Sequence, residues 1–402
     1  MPDEDLLFRG QVILADRVLR QGAVQVRGGR IVAVHSNAGA GAGPSAHSTV
    51  VDAGDGFISP GYIDLHVHGG DGADFMDGTE EAFRTVLAAH ARHGTTSILP
   101  TTTAARHDQI LAMLETCRRF RQRDGAAGAR VLGAHLYGPY FRLEARGCHP
   151  AAPVRAPQAA EYEQYLELAD TIVTASLAPE LPGAEAFARA CLARGIRMNA
   201  GHTHATFDQM SQAVGWGVRH VDHLYCAMSD KSKLRASQPY PMRGGVLEAT
   251  LYFDELSTEV IADGKHLAPE LLQLALKVKG ADRLALVTDC SRALDQPEGR
   301  YLFGPRDGGE EFVHHDGVGK MPDGSALASS VRGMDHMVRT FRQLTGRPVW
   351  EVVRMASLTP ARIAGHDAEV GSLEPGKRAD VLVLGQGLEV ERVFLAGREF
   401  KA

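Results

Sequence analysis

The sequence has little of what marks secreted, membrane or nucleic-acid-binding proteins. Its 402 residues contain five cysteines and no CxxC pair, which argues against a disulfide framework and indicates reduced thiols. The longest apolar runs, such as Leu284–Val287, are far shorter than a membrane span. The opening MPDEDLLFRG lacks the basic and apolar regions of a signal peptide. We therefore expect a cytoplasmic protein without a membrane partner.

Positive charge is also scarce. The formal net charge is −6 and no stretch is rich in Lys and Arg, which argues against a nucleic-acid partner, because phosphate backbones require many cationic contacts. Hydrophobic residues make up 44% and charged residues 23%, as in ordinary soluble globular proteins. The length suits a barrel with an accessory module better than one average domain.

Both ends of the chain are rich in β-forming residues. LLFRGQVILAD and AVQVRGGRIVAVHS near the N-terminus, and ADVLVLGQGLEVERVFLAGREF near the C-terminus, are typical of hairpins. We predict one small β-sandwich domain built from residues 1–57 and 369–402. Two unrelated terminal hairpins are the alternative.

The middle of the chain, residues 58–368, follows the pattern of repeated βα units. Helical patterns such as EEAFRTVLAAHARHG and APELLQLALKVKG separate short apolar segments. The candidate strands are Tyr62–His68, Thr96–Pro100, Arg130–Leu136, Ile172–Leu177, Arg197–Gly201, Val218–His223, Ser257–Ala262 and Leu284–Thr288. Eight such strands predict an α/β fold, a closed (β/α)₈ barrel of the TIM type. The stretches SSVRGMDHMVRTFRQL and VWEVVRMASLTPARIAG predict closing helices.

Histidines and an aspartate stand at the ends of several predicted strands. In PGYIDLHVHGG, His66 and His68 face the same side of a strand and point to the mouth of the barrel, where barrel enzymes have their active sites. His202, His223 and Asp289 occupy the same place on later strands. Each of these histidines alone is better explained as a core or capping residue. Together the five residues predict a divalent metal site, with Zn²⁺ first and Fe, Co, Ni or Mn as alternatives.

These motifs resemble the amidohydrolase superfamily and, within it, the N-acetylglucosamine-6-phosphate deacetylases. The resemblance rests on PGYIDLHVHGG, GAHLYGPYF, RGCHP, NAGHTHAT, HLYCAM, IADGKH, LVTDC, GSAL and VGSLEPGKRADVLVL, which follow the family order over nearly the whole chain. It implies a barrel with a β-sandwich, one or two divalent ions, and deacetylation of an N-acetylhexosamine 6-phosphate. It also implies a homodimer.

The resemblance further assigns roles to individual residues. The metal ligands would be His66, His68, His202, His223 and Asp289. Asp289 would also take a proton from the attacking water and pass it to the leaving amine, and His149 would bind the acetyl carbonyl. Substrate contacts would come from Tyr137, Cys226, Ala227, His266 and Arg235. The match of Arg235 needs a one-residue insertion, and this arginine would bind the phosphate in the site of a partner subunit.

Two residues depart from the family pattern. Tyr137 stands in HLYGP where the family has a metal-binding glutamate, and Cys226 stands in HLYCAM where Asn is usual. A protonated phenol is a poor ligand, and its reference pKa is about 10. We favour a single ion held by His66, His68, Asp289 and one of the two later histidines. In the alternative, Tyr137 ionises and becomes a ligand.

Four further histidines stand outside the predicted ligand set. We interpret His135 as a buried structural residue and His204 as a loop residue, with the alternative that either one is a further metal ligand. We interpret His314 and His315 as solvated. The alternative functions are deacylation of another N-acyl amino sugar or amino acid, a mononuclear-metal deaminase or cyclic amidase, and a non-catalytic scaffold. A scaffold has no need for the whole set of predicted ligands.

Overall fold

The computed structural model describes residues 5–36, 48–123, 125, 127–238 and 240–401. The chain begins with the strands β1 (Asp5–Ile13), β2 (Val18–Arg27), β3 (Arg30–His35) and β4 (Ser48–Pro60). Strand β2 pairs antiparallel with β1 and with β3, so the predicted N-terminal hairpins are confirmed. Strand β4 lies parallel to β1.

Parallel strands then form the barrel. The strands in chain order are β5 (Tyr62–Val67), β6 (Gly69–Gly70), β7 (Ala73–Asp74), β8 (Thr95–Pro100), β9 (Arg130–Val131), β10 (Ala134–Tyr137), β11 (Ile172–Leu177), β12 (Arg197–Ala200), β13 (Val218–Val221), β14 (Ser257–Ile261) and β15 (Leu284–Val287). Strands β6 and β7 form a small antiparallel hairpin, and all the others belong to the barrel. All eight predicted strands are confirmed, with ends within two residues of the prediction.

The ring of strands closes through two isolated parallel bridges, Thr101 to His135 and Val67 to Cys290. The third predicted strand is interrupted between β9 and β10. Gly133 lies at this break, where an added Cβ would come within 2.5 Å of the Thr171 carbonyl oxygen. The interruption depends on a neighbour that is distant in sequence, so it could not be predicted locally.

Helices lie between most of the barrel strands, as in other (β/α)₈ proteins. They are α1 (Glu80–Arg92), α2 (His107–Arg121), α3 (Ala159–Leu166), α4 (Ala184–Leu192), α5 (Phe207–Trp216), α6 (Lys231–Leu234), α7 (Val246–Tyr252) and α8 (Pro269–Lys279). Helix α1 shows why these segments are helical. The Thr79 side chain caps its first turn, two glutamates follow the cap, and Phe83 and Val86 are among the residues of its buried face.

The segment after β15 differs from the prediction of closing helices alone. A three-stranded antiparallel sheet comes first, with β16 (Gly299–Phe303), β17 (Glu310–His315) and β18 (Val318–Lys320). The helices α9 (Met334–Thr345), α10 (Val349–Met355) and α11 (Leu358–Ala364) follow. The last two helices are separated at Ser357, whose φ of −137° and ψ of −77° are not helical.

The C-terminal strands return to the N-terminal sheet. They are β19 (Val381–Leu384), β20 (Val390–Leu395) and β21 (Arg398–Phe400), and β19 pairs antiparallel with β4. The seven-stranded sheet has a core of its own, in which the rings of Phe8 and Phe394 meet edge to face at 4.8 Å. One β-sandwich therefore draws on both ends of the chain. The predicted boundaries at residues 57 and 369 stay predictions, and β4 runs across the first of them. No helix in the described ranges has the length and apolar character needed to cross a membrane.

Candidate metal centre and active site

The five predicted metal ligands meet at the carboxyl end of the barrel. His66 is the second-last residue of β5, and His68 follows the last residue of that strand. Each of the other three lies two residues beyond the end of its strand: His202 after β12, His223 after β13 and Asp289 after β15. All five side chains are buried or nearly so. Because the strands are parallel, their carboxyl ends bring these residues to one face of the barrel.

The backbone at these strand ends is unusual. His202, His223, Ala227 and Asp289 have φ values of 45°, 25°, 49° and 45°, in the left-handed region that non-glycine residues seldom adopt. Conformations of this kind cost on the order of 1–3 kcal/mol each and cluster at functional sites. Such conformations persist only where the surrounding structure fixes them. The loops that carry these four predicted site residues are therefore held in a defined conformation.

His66, His68 and Asp289 form one of two groups of potential ligands among the described residues, the other being His66, Asp222 and Glu259. Asp289 Oδ1 lies 3.3 Å from His68 Nε2 and 3.8 Å from His66 Nε2. One ligand atom from each of the three residues lies within 4.8 Å of the others. His66 Nε2 is buried and has no hydrogen-bond partner among the described residues, as expected of a nitrogen that binds a metal ion. The group therefore fits a divalent cation.

His202 and His223 lie beside this group. Their Nε2 atoms are 3.2 Å apart, and His202 Nδ1 donates to the Ala145 carbonyl oxygen at 2.7 Å, which leaves Nε2 of His202 as the acceptor nitrogen. His223 Nε2 is also 2.5 Å from the Tyr137 hydroxyl. One ring nitrogen cannot bind a metal ion while it is engaged with a phenol, so Tyr137 competes for His223.

Burial and neighbouring charges set the protonation of the site. Burial opposes ionisation of Asp289, but His66 and His68 outweigh it and hold the pKa of the carboxyl well below its usual range. Burial, reinforced by His223, holds the pKa of His202 well below the usual range, and the same cause lowers the pKa of His223 to about 4. Burial lowers the pKa of His66, but Glu259 and Asp289 outweigh it and raise this pKa to about 9, so the ring has to lose a proton before it binds a metal ion. The neutral imidazoles of His202 and His223 and the ionised carboxylate of Asp289 already have the forms that bind divalent metals.

Glu259 is a site residue that the sequence analysis missed. It lies in β14, is only 1% exposed, and accepts a hydrogen bond from His66 Nδ1 at 2.6 Å. Its other carboxylate oxygen is 3.2 Å from His220 Nε2. Such a carboxylate fixes the ring of a metal-binding histidine and makes its other nitrogen more basic. The available signal was a single charged residue inside STEVI, a strand whose other residues are uncharged.

His149 is oriented as a hydrogen-bond donor. The Ala104 amide donates to His149 Nδ1 at 3.2 Å, so the imidazole proton resides on Nε2. Burial, together with His202 and His68, holds the pKa of His149 well below its usual range. The ring is therefore a neutral donor beside the potential ligands His68 and His202, whose rings lie 6.2 and 4.7 Å away.

A cavity of about 380 Å³ joins most of the predicted residues. The predicted site residues that line it are His68, Tyr137, His149, His202, His223, Cys226, Ala227, His266 and Asp289. His66 is fully buried and does not line the cavity. Arg235 is exposed and does not line the cavity of its own chain.

The remaining histidines have varied surroundings. His135 is buried and its Nε2 shares a hydrogen bond of 2.7 Å with Ser176 Oγ, which agrees with a structural role. His204 lies in the loop between β12 and α5, as predicted, where it is half-buried and lines the cavity. His315 is exposed as predicted, whereas His314 is half-buried in β17.

Comparison with known proteins identifies the family. The sequence profile described as the amidohydrolase family matches residues 57–400. The chain belongs to the amidohydrolase family. It is a hydrolase of amide bonds, built on the barrel and β-sandwich described above.

Several characterised proteins are similar to this amidohydrolase. N-acetylgalactosamine-6-phosphate deacetylase of Escherichia coli O157:H7 is 36% identical over 342 residues, which are 85% of this chain and 87% of that protein. N-acetylglucosamine-6-phosphate deacetylase of Vibrio furnissii is 32% identical over 394 residues, which are 97% of this chain and 94% of that protein.

Two solved structures of similar deacetylases superpose on this chain over nearly its whole length. The N-acetylglucosamine-6-phosphate deacetylase of Pasteurella multocida superposes with a TM-score of 0.89 at 27% identity, covering 99% of this chain and 100% of that one. A variant of the Mycobacterium smegmatis enzyme in complex with N-acetyl-D-glucosamine-6-phosphate gives 0.87 at 27% identity, covering 99% of both chains. The predicted fold is therefore confirmed.

Proposed function

We propose that this amidohydrolase removes the acetyl group from an N-acetylhexosamine 6-phosphate, with N-acetylglucosamine 6-phosphate as the first candidate. The observation that carries the proposal is the convergence of His66, His68 and Asp289, within 4.8 Å of one another, beside a cavity of about 380 Å³. A volume of this order suits a small molecule. Relatives with 32% and 36% identity over most of the chain bear names of this substrate class.

The donor set suits one divalent transition-metal ion, which we propose to be Zn²⁺, with Fe, Co, Ni or Mn as chemically acceptable substitutes. His66, His68 and Asp289 would hold it together with His202, because Tyr137 engages His223 Nε2 at 2.5 Å. This arrangement supports a one-ion site over ligation by Tyr137 itself. When bound, the ion supplies a Lewis acid for the amide carbonyl and lowers the pKa of water at the site.

Asp289 is the proposed general base and, later, the general acid. Its carboxyl is ionised, and its side chain is 12% exposed although the residue as a whole is buried. It takes a proton from the attacking water and then gives a proton to the nitrogen of the leaving amine as the C–N bond breaks. Asp289→Asn keeps the shape of the side chain but removes the basic oxygen, so turnover should fall nearly to zero.

His149 is the proposed donor to the substrate carbonyl. The Ala104 amide fixes its tautomer, so Nε2–H is the group that can approach the oxygen as negative charge develops there. Donors of this kind typically contribute a few kcal/mol to the transition state. The neutral state of the imidazole suits donation at neutral pH.

Cys226, Ala227, His266 and Tyr137 line the cavity and are proposed to contact the sugar phosphate. Arg235 is exposed, which is compatible with the proposal that it serves a partner subunit in a homodimer. The five cysteines are free, and we propose a cytoplasmic location on that ground.

N-acetylgalactosamine 6-phosphate is the second candidate substrate, because the relative with 36% identity bears that name. Acetate release should therefore be measured from both hexosamine 6-phosphates and from the unphosphorylated sugars, with Asp289→Asn as the inactive control. Release that requires the phosphate and Asp289 supports the proposal. Release from neither sugar phosphate by metal-loaded protein overturns it and directs the search to other N-acyl or cyclic amide substrates.

A further inference from the structure

We infer that Lys233 binds the phosphate of the substrate from within the same subunit. The inference rests on the proposed function, because it concerns the phosphorylated end of the proposed substrate. It assigns a specificity-determining residue that neither the motifs nor the metal centre includes.

The position of Lys233 in the cavity is the first observation. Among the described residues that line the cavity, Lys233 is the only Lys or Arg. Its Nζ donates to the Met228 carbonyl oxygen at 2.7 Å. This bond holds the ammonium group beside the segment of Cys226 and Ala227, which lines the same cavity.

The second observation is the unused capacity of this ammonium group. The ammonium group of Lys233 forms an ion pair with no Asp or Glu in the part of the chain that the structure describes, and its one hydrogen bond goes to a neutral carbonyl. The backbone N–H of Lys233 donates separately to Asp230 Oδ1 at 2.8 Å. An ammonium group has three protons to donate, so two remain for an anion. Lys231 and Lys233, on the same short helix, are both exposed, but only Lys233 lines the cavity.

The nearby acidic groups are already engaged elsewhere. Besides Asp289, the lining carboxylate is Glu144, which pairs with Arg142 at 2.5 Å. Glu180, just outside the lining, accepts from the His204 amide at 2.6 Å and from Thr203 Oγ1 at 2.5 Å. The positive charge of Lys233 is therefore not cancelled where an anion would enter.

His204 adds a polar partner. Its half-buried side chain lines the same cavity as Lys233. Both side chains therefore face a ligand bound in this cavity. The Cys226 thiol is only a weak donor, so a cation is the group that can bind a dianionic phosphate strongly here.

Lys233 and Arg235 differ in whether they need a second subunit to bind the phosphate. Arg235 is exposed and outside the cavity, so its proposed role in phosphate binding requires a partner subunit. Lys233 needs no partner. A phosphate held by Lys233 explains how one chain could select a sugar phosphate over the neutral sugar.

The test compares Lys233→Gln with Lys231→Gln as the matched control and Lys233→Arg as the charge-conserving variant. Acetate release is measured on N-acetylglucosamine 6-phosphate, N-acetylgalactosamine 6-phosphate and the unphosphorylated sugars. For Lys233→Gln we expect KM on the turned-over sugar phosphate to rise about 10- to 100-fold with kcat nearly unchanged, as for loss of a hydrogen bond to a charged group. Lys233→Arg should recover most of the loss, and Lys231→Gln should match the wild type.

An unchanged KM in Lys233→Gln, or an equal loss on phosphorylated and unphosphorylated sugars, would overturn the inference. Calorimetric binding of inorganic phosphate to the metal-loaded protein separates it from the proposed function. If neither sugar phosphate is hydrolysed but phosphate binds and Lys233→Gln abolishes binding, the inference stands and the proposed function fails. If phosphate binds equally well to both proteins, Lys233 is not the phosphate ligand.

Discussion

Glu259→Gln removes a buried negative charge behind His66 while it keeps the size and shape of the side chain. The carboxylate is 1% exposed and lies 2.6 Å from His66 Nδ1 and 3.2 Å from His220 Nε2. Burial disfavours the charged form, but His66 and His220 outweigh it and hold the pKa of Glu259 well below its usual range. The substitution therefore changes charge rather than volume.

The expected consequence is weaker metal binding. Replacing such an outer partner of a metal-binding histidine typically costs about 10- to 100-fold in metal affinity, which corresponds to about 1.4–2.7 kcal/mol. We expect the upper part of this range, because the carboxylate is screened by little solvent and serves two histidines. The glutamine amide can still accept a hydrogen bond from His66, so the ring should keep its place while its Nε2 becomes less basic.

Competition with a chromophoric chelator gives the Kd for Zn²⁺ in the wild type, in Glu259→Gln and in Glu255→Gln. Glu255 is exposed in the turn before β14 and serves as the control. Circular dichroism should show the same helix content in all three proteins. A Kd for Glu259→Gln within twofold of the wild type, in a folded protein, would refute the role assigned to Glu259.

Two further predictions concern Tyr137 and His93. Tyr137→Glu replaces the phenol, which lies 2.5 Å from His223 Nε2, by a carboxylate that can bind a metal ion. The number of metal ions bound per chain, measured by metal analysis, should therefore rise from one to two. An unchanged number would mean that Tyr137 only forms part of the cavity wall. Burial lowers the pKa of His93, but Asp295 and Asp335, each 2.9 Å from a ring nitrogen, raise it to about 9. This pairing is therefore fully stabilising below about pH 6.5, and its contribution, about 3 kcal/mol, is lost as the pH rises through 9. In urea unfolding at pH 6 and pH 10, the wild type should lose more stability than His93→Gln, and equal losses would contradict the assignment.

The barrel could be predicted because its signals are local. Short apolar segments such as Ile172–Leu177 predict buried strands without any knowledge of the fold, and each predicted ligand lies at or just after the end of such a segment. Since parallel strands place their carboxyl ends together, the meeting of His66, His68 and Asp289 followed from their positions along the chain. The roles assigned to the individual residues, Arg235 included, stay predictions.

Other features depend on contacts that a single segment does not reveal. The strands β16 and β17 have the sequences GRYLF and EEFVHH, which show no regular alternation, and they form a sheet by pairing with each other. Glu259 looks out of place in a buried strand until His66 is known to lie against it. In the sequence, Lys233 cannot be distinguished from the charged residues of the surface, and only the folded chain shows that it lines the cavity.

The central claim, that one divalent ion and Asp289 together hydrolyse a hexosamine acetamide, is tested most directly by stepwise addition of Zn²⁺ to metal-free protein. Acetate release from N-acetylglucosamine 6-phosphate and from N-acetylgalactosamine 6-phosphate is followed at each step. We predict no release before metal is added and a rise on at least one substrate that levels off at one equivalent, with Asp289→Asn silent throughout. Full turnover by metal-free protein, a requirement for a second equivalent, or activity in Asp289→Asn would contradict the account.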